Sequence, residues 1–189
     1  MSNFIEQYQI DPNLCDRIIN YFEQSPDKFQ GCTRKGVKND VKKSTDLIFR
    51  GSLFNDYVDC LIPCINEYKE KYIYCNLIHD SWSIYPDVNI QRYLPGEGYY
   101  KLHCERDGGG NPSAQRHLVF MTYLNNVTDD GETFFYYQNL KVKPKKGLTL
   151  IWPVDWTHTH CGIPSQTQTK YIVTGWINYD HVVPLRFYN

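Results

Sequence analysis

The chain has 189 residues, of which 41% are hydrophobic, 22% charged and 15% aromatic. This composition favours one well-packed domain and excludes a disordered chain. Lysine and arginine total 20 against 21 aspartates and glutamates, so a net charge of −1 offers no broad basic surface for nucleic acid or an anionic membrane. The sequence has no apolar run of transmembrane length, and we expect neither nucleic acid nor membrane as a partner.

The first residues of the chain and its cysteines bear on the cellular compartment in which we expect the protein. Residues 1–11 show no basic start followed by an apolar stretch, so no secretory signal is predicted. The seven cysteines are scattered and odd in number. Without a signal, reduced thiols in the cytoplasm are the expected state.

The first part of the chain, residues 1–80, is predicted to be helical. Asp11-Pro12 is a helix start signal, because the aspartate can cap the helix and proline suits its first turn. Ser25-Pro26 ends this helix. A second amphipathic helix is predicted over about residues 53–74. The polar and basic stretch between them, residues 35–43, is predicted to be a loop.

From residue 81 the sequence has a pattern that is typical of β-structure. Short runs rich in β-branched and aromatic residues alternate with glycine, proline and aspartate turn signals. The predicted strands are 89–94, 99–105, 117–124, 133–137, 148–152 and 171–179. Strands at this spacing predict an antiparallel sandwich or barrel, and helices before strands predict an α+β fold with the helices packed outside.

His103 and Glu105 form the first candidate for chemistry. Residues i and i+2 of a strand point to the same face, so an imidazole and a carboxylate would project together. With a distant histidine they would make the two-histidine, one-carboxylate arrangement used for non-haem Fe(II). His158 and His160 are both candidates for that histidine. Lys170, on the inward face of a predicted strand, would need an anionic partner.

These residues lie in linked blocks that resemble the 2-oxoglutarate- and Fe(II)-dependent dioxygenases, closest to the prolyl 4-hydroxylases. The blocks follow the family order with compatible spacing over roughly residues 81–179. They are Tyr93 to His103, with its Pro-Gly turn; Gln115 to Asn125; Asp130 to Phe134; Lys143 to Gly147; and His160 through Lys170 to Trp176.

The resemblance implies a single domain, residues 1–189, with a helical part at 1–80 and a catalytic core at 81–179. That core would be a double-stranded β-helix, or jelly-roll barrel. The implied Fe(II) ligands are His103, Glu105 and His160. The implied 2-oxoglutarate-binding residues are Tyr93, Tyr123, Lys170, Thr174 and Trp176. Arg116 matches a substrate-side arginine, and O2 and ascorbate would be further cofactors. The expected reaction is hydroxylation of peptidyl proline.

Two departures from the family pattern keep alternatives open. The carboxylate ligand is usually aspartate, and here it is Glu105. Many prolyl 4-hydroxylases have histidine where this chain has Asn178, which leaves room for a free amino acid or another protein side chain as substrate. Nucleic-acid dealkylases use arginine as the co-substrate anchor, whereas Lys170 stands here. A non-catalytic jelly-roll binding module is the remaining alternative.

One question of strand geometry also follows from the sequence. Arg116 and Tyr123 are seven residues apart, so a regular strand would place them on opposite faces. If both face the site, either Arg116 precedes the strand or the strand contains a bulge.

Overall fold

Two helices precede most of the sheet structure in this computed structural model, which describes residues 2–77 and 81–180. Helix α1 spans Pro12–Gln24, and the Asp11 side chain accepts a hydrogen bond from the Asn13 N–H at its start. Helix α2 spans Ser52–Lys71 and continues through Pro63, and a short α3 spans Tyr74–Leu77. Both predicted helices are therefore confirmed.

The described strands form two antiparallel sheets. Their bounds are β1 Glu6–Gln9, β2 Phe29–Gln30, β3 Thr45–Ile48, β4 Trp82–Ile84, β5 Asn89–Tyr93, β6 Arg116–Tyr123, β7 Thr133–Phe135, β8 Leu140–Val142, β9 Leu148–Pro153, β10 His160–Gly162 and β11 Lys170–Tyr179. The large sheet has the order β1-β9-β6-β11-β5-β3-β2, with β4 also paired to β11. The small sheet has the order β10-β7-β8.

Each face of the large sheet has its own apolar cluster. The outer face packs against α1 and α2, where Phe22 and Tyr57 meet strand residues such as Phe120 and Val173. The inner face packs against the small sheet, where Met121 meets residues such as Phe135. Because strand side chains alternate, β11 sends Val173 outward and its even-numbered neighbours inward. The result is the predicted jelly-roll barrel with helices outside.

The N-terminal part differs from its prediction because it also contributes strands. β1 pairs with β9, and β3 pairs with β5, so residues before 80 extend the large sheet at both ends. β1 shows no strong local signal, since it is the polar tetrapeptide Glu6–Gln9. Its strand form comes from the partner strand rather than from its own composition.

The prediction of a regular strand over residues 99–105 is also wrong. Within it, the structure shows two isolated bridges, Lys42 to Tyr99 and His103 to His160. The segment does not pair along one strand. It changes partner again at Glu105, whose N–H donates to the Val154 carbonyl.

A bulge in β6 explains how Arg116 and Tyr123 can both point to the same face of the sheet. Ile177 of β11 pairs with Leu118, but Asn178 pairs with Arg116, so His117 is the extra residue. The bulge returns Arg116 to the inner face with Tyr123.

In the part of the chain that the structure describes, no helix is both long and apolar enough to cross a membrane. All seven cysteines are free thiols.

Candidate metal centre

The two histidines of the centre are directly opposed across a backbone bridge. The N–H of each donates to the carbonyl of the other, His103 to His160 and His160 to His103, both at 2.9 Å. Glu105 follows two residues later. One ligand atom from each of these three side chains lies within 4.8 Å of the other two. The predicted trio therefore converges, although its local backbone is not a regular strand.

The hydrogen bonds behind the histidines fix the orientation of both rings. His103 Nδ1 lies 2.8 Å from the Lys101 carbonyl, and His160 Nδ1 lies 2.9 Å from the His158 carbonyl. A carbonyl only accepts, so each Nδ1 carries a proton and each ring turns its Nε2 toward Glu105. These two Nε2 atoms lie 3.4 and 3.5 Å from Glu105 Oε1.

Nε2 of a neutral imidazole and a carboxylate oxygen are both electron-pair donors, so a cation between these three atoms would be bound by all of them. Burial acts to raise the pKa of Glu105, but the hydrogen bonds and charges of His103 and His160 hold it well below its usual range. Burial, reinforced by His103, lowers the pKa of His160. A carboxylate with two neutral imidazoles fits a divalent transition metal and leaves coordination positions open.

The second oxygen of Glu105 is held by two other residues. Trp176 Nε1–H donates to Oε2 at 2.9 Å, and Arg116 Nη1 lies 3.3 Å from the same atom. Arg116 Nη1 also donates to the Glu105 carbonyl at 2.8 Å, and its guanidinium stacks 3.6 Å from the Trp176 ring centroid. Glu105 thus directs one oxygen to the histidines while the other is fixed.

A single cavity of about 920 Å³ contains this centre. All nine residues that the sequence analysis selected line it: His103, Glu105, His160, Tyr93, Tyr123, Lys170, Thr174, Trp176 and Arg116. Most come from the inner faces of β5, β6 and β11, which are neighbouring strands of the large sheet.

Lys170 is a buried cation in this cavity, with 4% of its surface exposed. Its Nζ donates to the Gly131 carbonyl at 2.8 Å and lies 3.4 Å from the Ile163 carbonyl. No described carboxylate forms an ion pair with it. Burial lowers the pKa of Lys170 to about 8, against the opposing effect of Glu132. The side chain is therefore positioned to receive an anion.

The two tyrosine hydroxyls have partners within the protein. Tyr123 donates to the Val142 carbonyl at 3.1 Å and receives the Thr133 N–H at 3.1 Å. Its oxygen also lies 2.6 Å from Thr133 Oγ1. Tyr93 donates to Gln91 Oε1 at 2.7 Å. Either hydroxyl can donate to a ligand only by releasing its present acceptor.

Gln91 in turn belongs to a buried ionic network. Asp46 Oδ2 accepts from Gln91 Nε2 at 3.1 Å and from Lys42 Nζ at 2.7 Å. Ser44 donates to Asp46 Oδ1 at 2.6 Å. The network connects the loop before β3 to Tyr93, and the sequence does not predict it because Asp46 and Gln91 are 45 positions apart.

His158, the alternative ligand, lies apart from the cavity. Its Nε2 is 2.9 Å from the Asn3 carbonyl, and its Nδ1 is 3.0 Å from Thr157 Oγ1. His158 ends a short 3-10 turn, Trp156–His158, and its ring belongs neither to the trio nor to the cavity lining.

Two further features complete the cavity. The Tyr99 ring stacks on His103 with a centroid distance of 3.6 Å, whereas its neighbour Tyr100 does not line the cavity and donates to the Gly96 carbonyl. Residues 32–42, which we call the rim loop, lie at the mouth. The basic composition of 35–43 was the only sequence signal for that loop.

Comparison with known proteins agrees with this geometry. Residues 88–178 match the 2OG-Fe(II) oxygenase superfamily model. A prolyl 4-hydroxylase homologue of Acanthamoeba polyphaga mimivirus is 32% identical over 192 residues, covering 92% of this chain and 72% of the relative. The chain spans only 39% and 43% of two prolyl 4-hydroxylase relatives from Arabidopsis thaliana.

Two solved structures share the fold. The viral collagen prolyl hydroxylase of Paramecium bursaria Chlorella virus-1, in complex with 2-oxoglutarate, has a TM-score of 0.71 at 23% identity, over 94% of this chain and 97% of that one. A Trichoplax adhaerens prolyl hydroxylase with a hypoxia inducible factor peptide has a TM-score of 0.72 at 17% identity, over 94% and 84%. This chain belongs to the 2-oxoglutarate- and Fe(II)-dependent oxygenase superfamily, close to the prolyl 4-hydroxylases, and is a dioxygenase.

Proposed function

We propose that this chain hydroxylates peptidyl proline, using Fe(II), 2-oxoglutarate and O2. The observation that carries the proposal is one cavity lined by a His-Glu-His trio and by a buried lysine without a carboxylate partner among the described residues. The trio fits the metal, and the lysine fits the dicarboxylate. The similarity to prolyl 4-hydroxylases supports proline as the target.

His103, Glu105 and His160 would hold the iron. When bound, the metal supplies the oxidative chemistry that couples 2-oxoglutarate decarboxylation to insertion of one oxygen atom into a C–H bond. The protein's part is to fix the ligands. The carbonyls of Lys101 and His158 hold both imidazoles in the tautomer that binds metal.

Lys170 would bind the distal carboxylate of 2-oxoglutarate through a charge-assisted hydrogen bond. Thr174 and Trp176 lie on the same face of β11 and would line the co-substrate pocket. Tyr123 would join them by turning its O–H from Val142 to the carboxylate, because the Val142 carbonyl, at 3.1 Å, is the acceptor that the O–H would release. Tyr93 would bind in the same way by releasing Gln91.

Arg116 would contact the peptide. Its Nη1 is occupied by Glu105, but Nε and Nη2 have no hydrogen-bond partner within residues 2–77 and 81–180. Those donors are available to substrate carbonyls. Ascorbate as a reductant belongs to the same proposal, and the free thiols support the expected cytoplasmic location.

A free amino acid is the second candidate substrate, and Asn178 is the observation that favours it. Asn178 is buried, pairs in register with Arg116, and leaves its Oδ1 without a hydrogen-bond partner. Asn178 is not among the residues that line the cavity, so the position where many prolyl 4-hydroxylases carry a histidine offers no group to a bound proline ring here.

Succinate release from 2-oxoglutarate by iron-loaded protein, combined with mass spectrometry of the products, tests the proposal. The panel contains proline-rich peptides, the same peptides with alanine for proline, and free amino acids. We expect a gain of one oxygen on proline in the peptides only. Free proline reacting as well as the peptides would instead establish the second candidate.

A further inference from the structure

Two loops meet at the mouth of the cavity. The rim loop, residues 32–42, faces the glycine-rich loop, residues 107–112, and both line the cavity. Arg34 forms an ion pair with Asp107 at 3.2 Å. The Arg34 guanidinium also lies so close to Gly109 that a Cβ there would be 1.9 Å from Nη1. The two loops are therefore in direct contact beside the entrance.

The exposed charges at this mouth are mostly positive. The exposed cations that line it are Arg34, Lys35, Lys38 and Lys101, and the exposed anions are Asp40 and Asp107. Arg34 and Asp107 neutralise each other. Within the described part of the chain, the three lysines form no ion pair, so their charges are available to a ligand.

This local charge contrasts with the whole chain, whose net charge is −1. It also differs from the interior of the cavity. There, Arg116 contacts Glu105, and Lys42 pairs with Asp46 at 2.7 Å. The buried Lys170 is assigned to 2-oxoglutarate, so the cations left for a peptide are the three exposed lysines, against the one unpaired exposed carboxylate of Asp40.

We infer that the enzyme selects peptides in which acidic residues flank the target proline. This inference rests on the proposed function and names the substrate class of the same site. A cleft lined by one sign of charge concentrates ligands of the opposite sign and speeds their association. Complementary charge at a rim sets selectivity and association rate more than total affinity.

A peptide fits this surface better than a nucleic acid does. Three unpaired lysines around one opening make a small patch, whereas nucleic-acid binding uses a basic stripe that follows many phosphates. These lysines line the same cavity as Glu105, so they are the cations that carboxylates beside a proline seated there would meet. The lysines are exposed to solvent, so their attraction for a carboxylate should weaken as the salt concentration rises.

Three peptides test the inference. They share one proline and differ only in flanking residues, which are glutamate, glutamine or lysine. Mass spectrometry gives kcat/KM for each at about 20 mM and about 300 mM salt. At low salt we expect the glutamate peptide to exceed the lysine peptide by about tenfold, with glutamine between them and a smaller ratio at high salt.

Variants in the rim loop and outside the cavity test whether the rim lysines cause the preference for acidic peptides. Lys35→Glu combined with Lys38→Glu should abolish or reverse the preference for the glutamate peptide. Lys141→Glu combined with Lys145→Glu changes the net charge equally at exposed residues outside the cavity, and should keep the preference. The ratio between two peptides within one variant does not depend on the fraction of folded protein.

The outcomes separate this inference from the proposed function. If all three peptides are hydroxylated equally, or if the rim variant keeps the preference, the inference is wrong and prolyl hydroxylation stands. If no peptide is hydroxylated while a free amino acid is, both are wrong. The inference would also be wrong if short single-stranded DNA inhibits the enzyme at a lower concentration than the glutamate peptide does.

Discussion

Trp176 donates its indole N–H to Oε2 of Glu105 at 2.9 Å, on the side of the carboxylate opposite the two histidines. The contact would let Glu105 act as the proposed metal ligand where the family pattern has aspartate. A longer side chain has one more rotatable bond, and the indole together with Arg116 restricts it. Trp176 is thus a positioning residue for the proposed metal ligand.

Replacing Trp176 by phenylalanine keeps an aromatic ring but removes this hydrogen bond. Loss of such an outer contact typically lowers metal affinity by about 10–100-fold, and we expect a decrease in that range for Fe(II). Anaerobic metal titration measures it. Trp156→Phe is the matched control, because Trp156 is 64% exposed and does not line the cavity. Equal affinities in both variants would contradict the positioning role.

The ligand assignment predicts different effects for neighbouring histidines. His103→Ala, Glu105→Ala and His160→Ala should each abolish detectable Fe(II) binding and turnover, since each removes one of three ligands. His158→Ala should retain metal binding, because the His158 ring bonds to Asn3 and Thr157. Titration of the four variants decides the assignment. Loss of binding in the His158 variant alone would overturn it.

The co-substrate assignment makes a prediction about pH. Lys170 has a pKa lowered by burial to about 8, and only its protonated form attracts a carboxylate. The ammonium is present below that pH and is lost as pH rises, so KM for 2-oxoglutarate should increase by up to about tenfold per pH unit above about 8. Steady-state kinetics between about pH 7 and pH 9.5 test this.

Two variants complete that experiment. Arginine remains protonated over the whole range, so Lys170→Arg should have a KM that does not rise with pH. Lys170→Ala leaves the ligand carboxylate without a cation, and we expect a cost of about 2–5 kcal/mol in apparent affinity. An unchanged KM in the alanine variant would place the anchor elsewhere.

Local sequence signals predicted the parts of the fold that depend on local chemistry. The cap at Asp11 and the apolar faces of α1 and α2 depend on residues within one or two turns. The spacing of His103, Glu105, His160 and Lys170 was recognised through the family resemblance, and the structure brings all four to one cavity.

The features that were missed depend on distant pairing. β1 is a strand because β9 lies beside it, and the segment around His103 is held by single bridges to separate partners. The bond from Trp176 to Glu105 joins residues 71 positions apart, and the Gln91–Asp46 bond joins residues 45 positions apart. No periodicity within one segment encodes such contacts.

The buried ion pair of Lys42 and Asp46 yields a prediction about stability. Both side chains are 5% exposed, so Asp46→Ala leaves a buried cation without its partner. Removing one partner of such a pair costs about 3–5 kcal/mol of unfolding free energy. The control is Asp56→Ala, because Asp56 pairs with Arg17 at the surface and its loss should cost at most about 1 kcal/mol. Equal losses in denaturant unfolding would show that the network is not stabilising.

Arg116 is assigned both to Glu105 and to the substrate, and these roles can be separated by measurement. The bulge at His117 places the guanidinium over Trp176, with Nη1 on Glu105 and its other donors free of described partners. Arg116→Ala should weaken iron binding, since Glu105 loses a donor. At saturating iron, kcat/KM for a proline peptide should still fall by about tenfold or more, because hydrogen bonds to a charged donor are lost.

The matched control is Arg50→Ala, which removes an exposed arginine paired with Asp87 and should leave both quantities unchanged. The Arg116→Ala variant should keep its KM for 2-oxoglutarate within about twofold of the original, since the co-substrate carboxylate is assigned to Lys170 rather than to Arg116. If saturating iron fully restores peptide hydroxylation, Arg116 acts only through Glu105. Its proposed contact with the substrate would then be wrong, and peptide recognition would depend on the aromatic residues and lysines at the mouth.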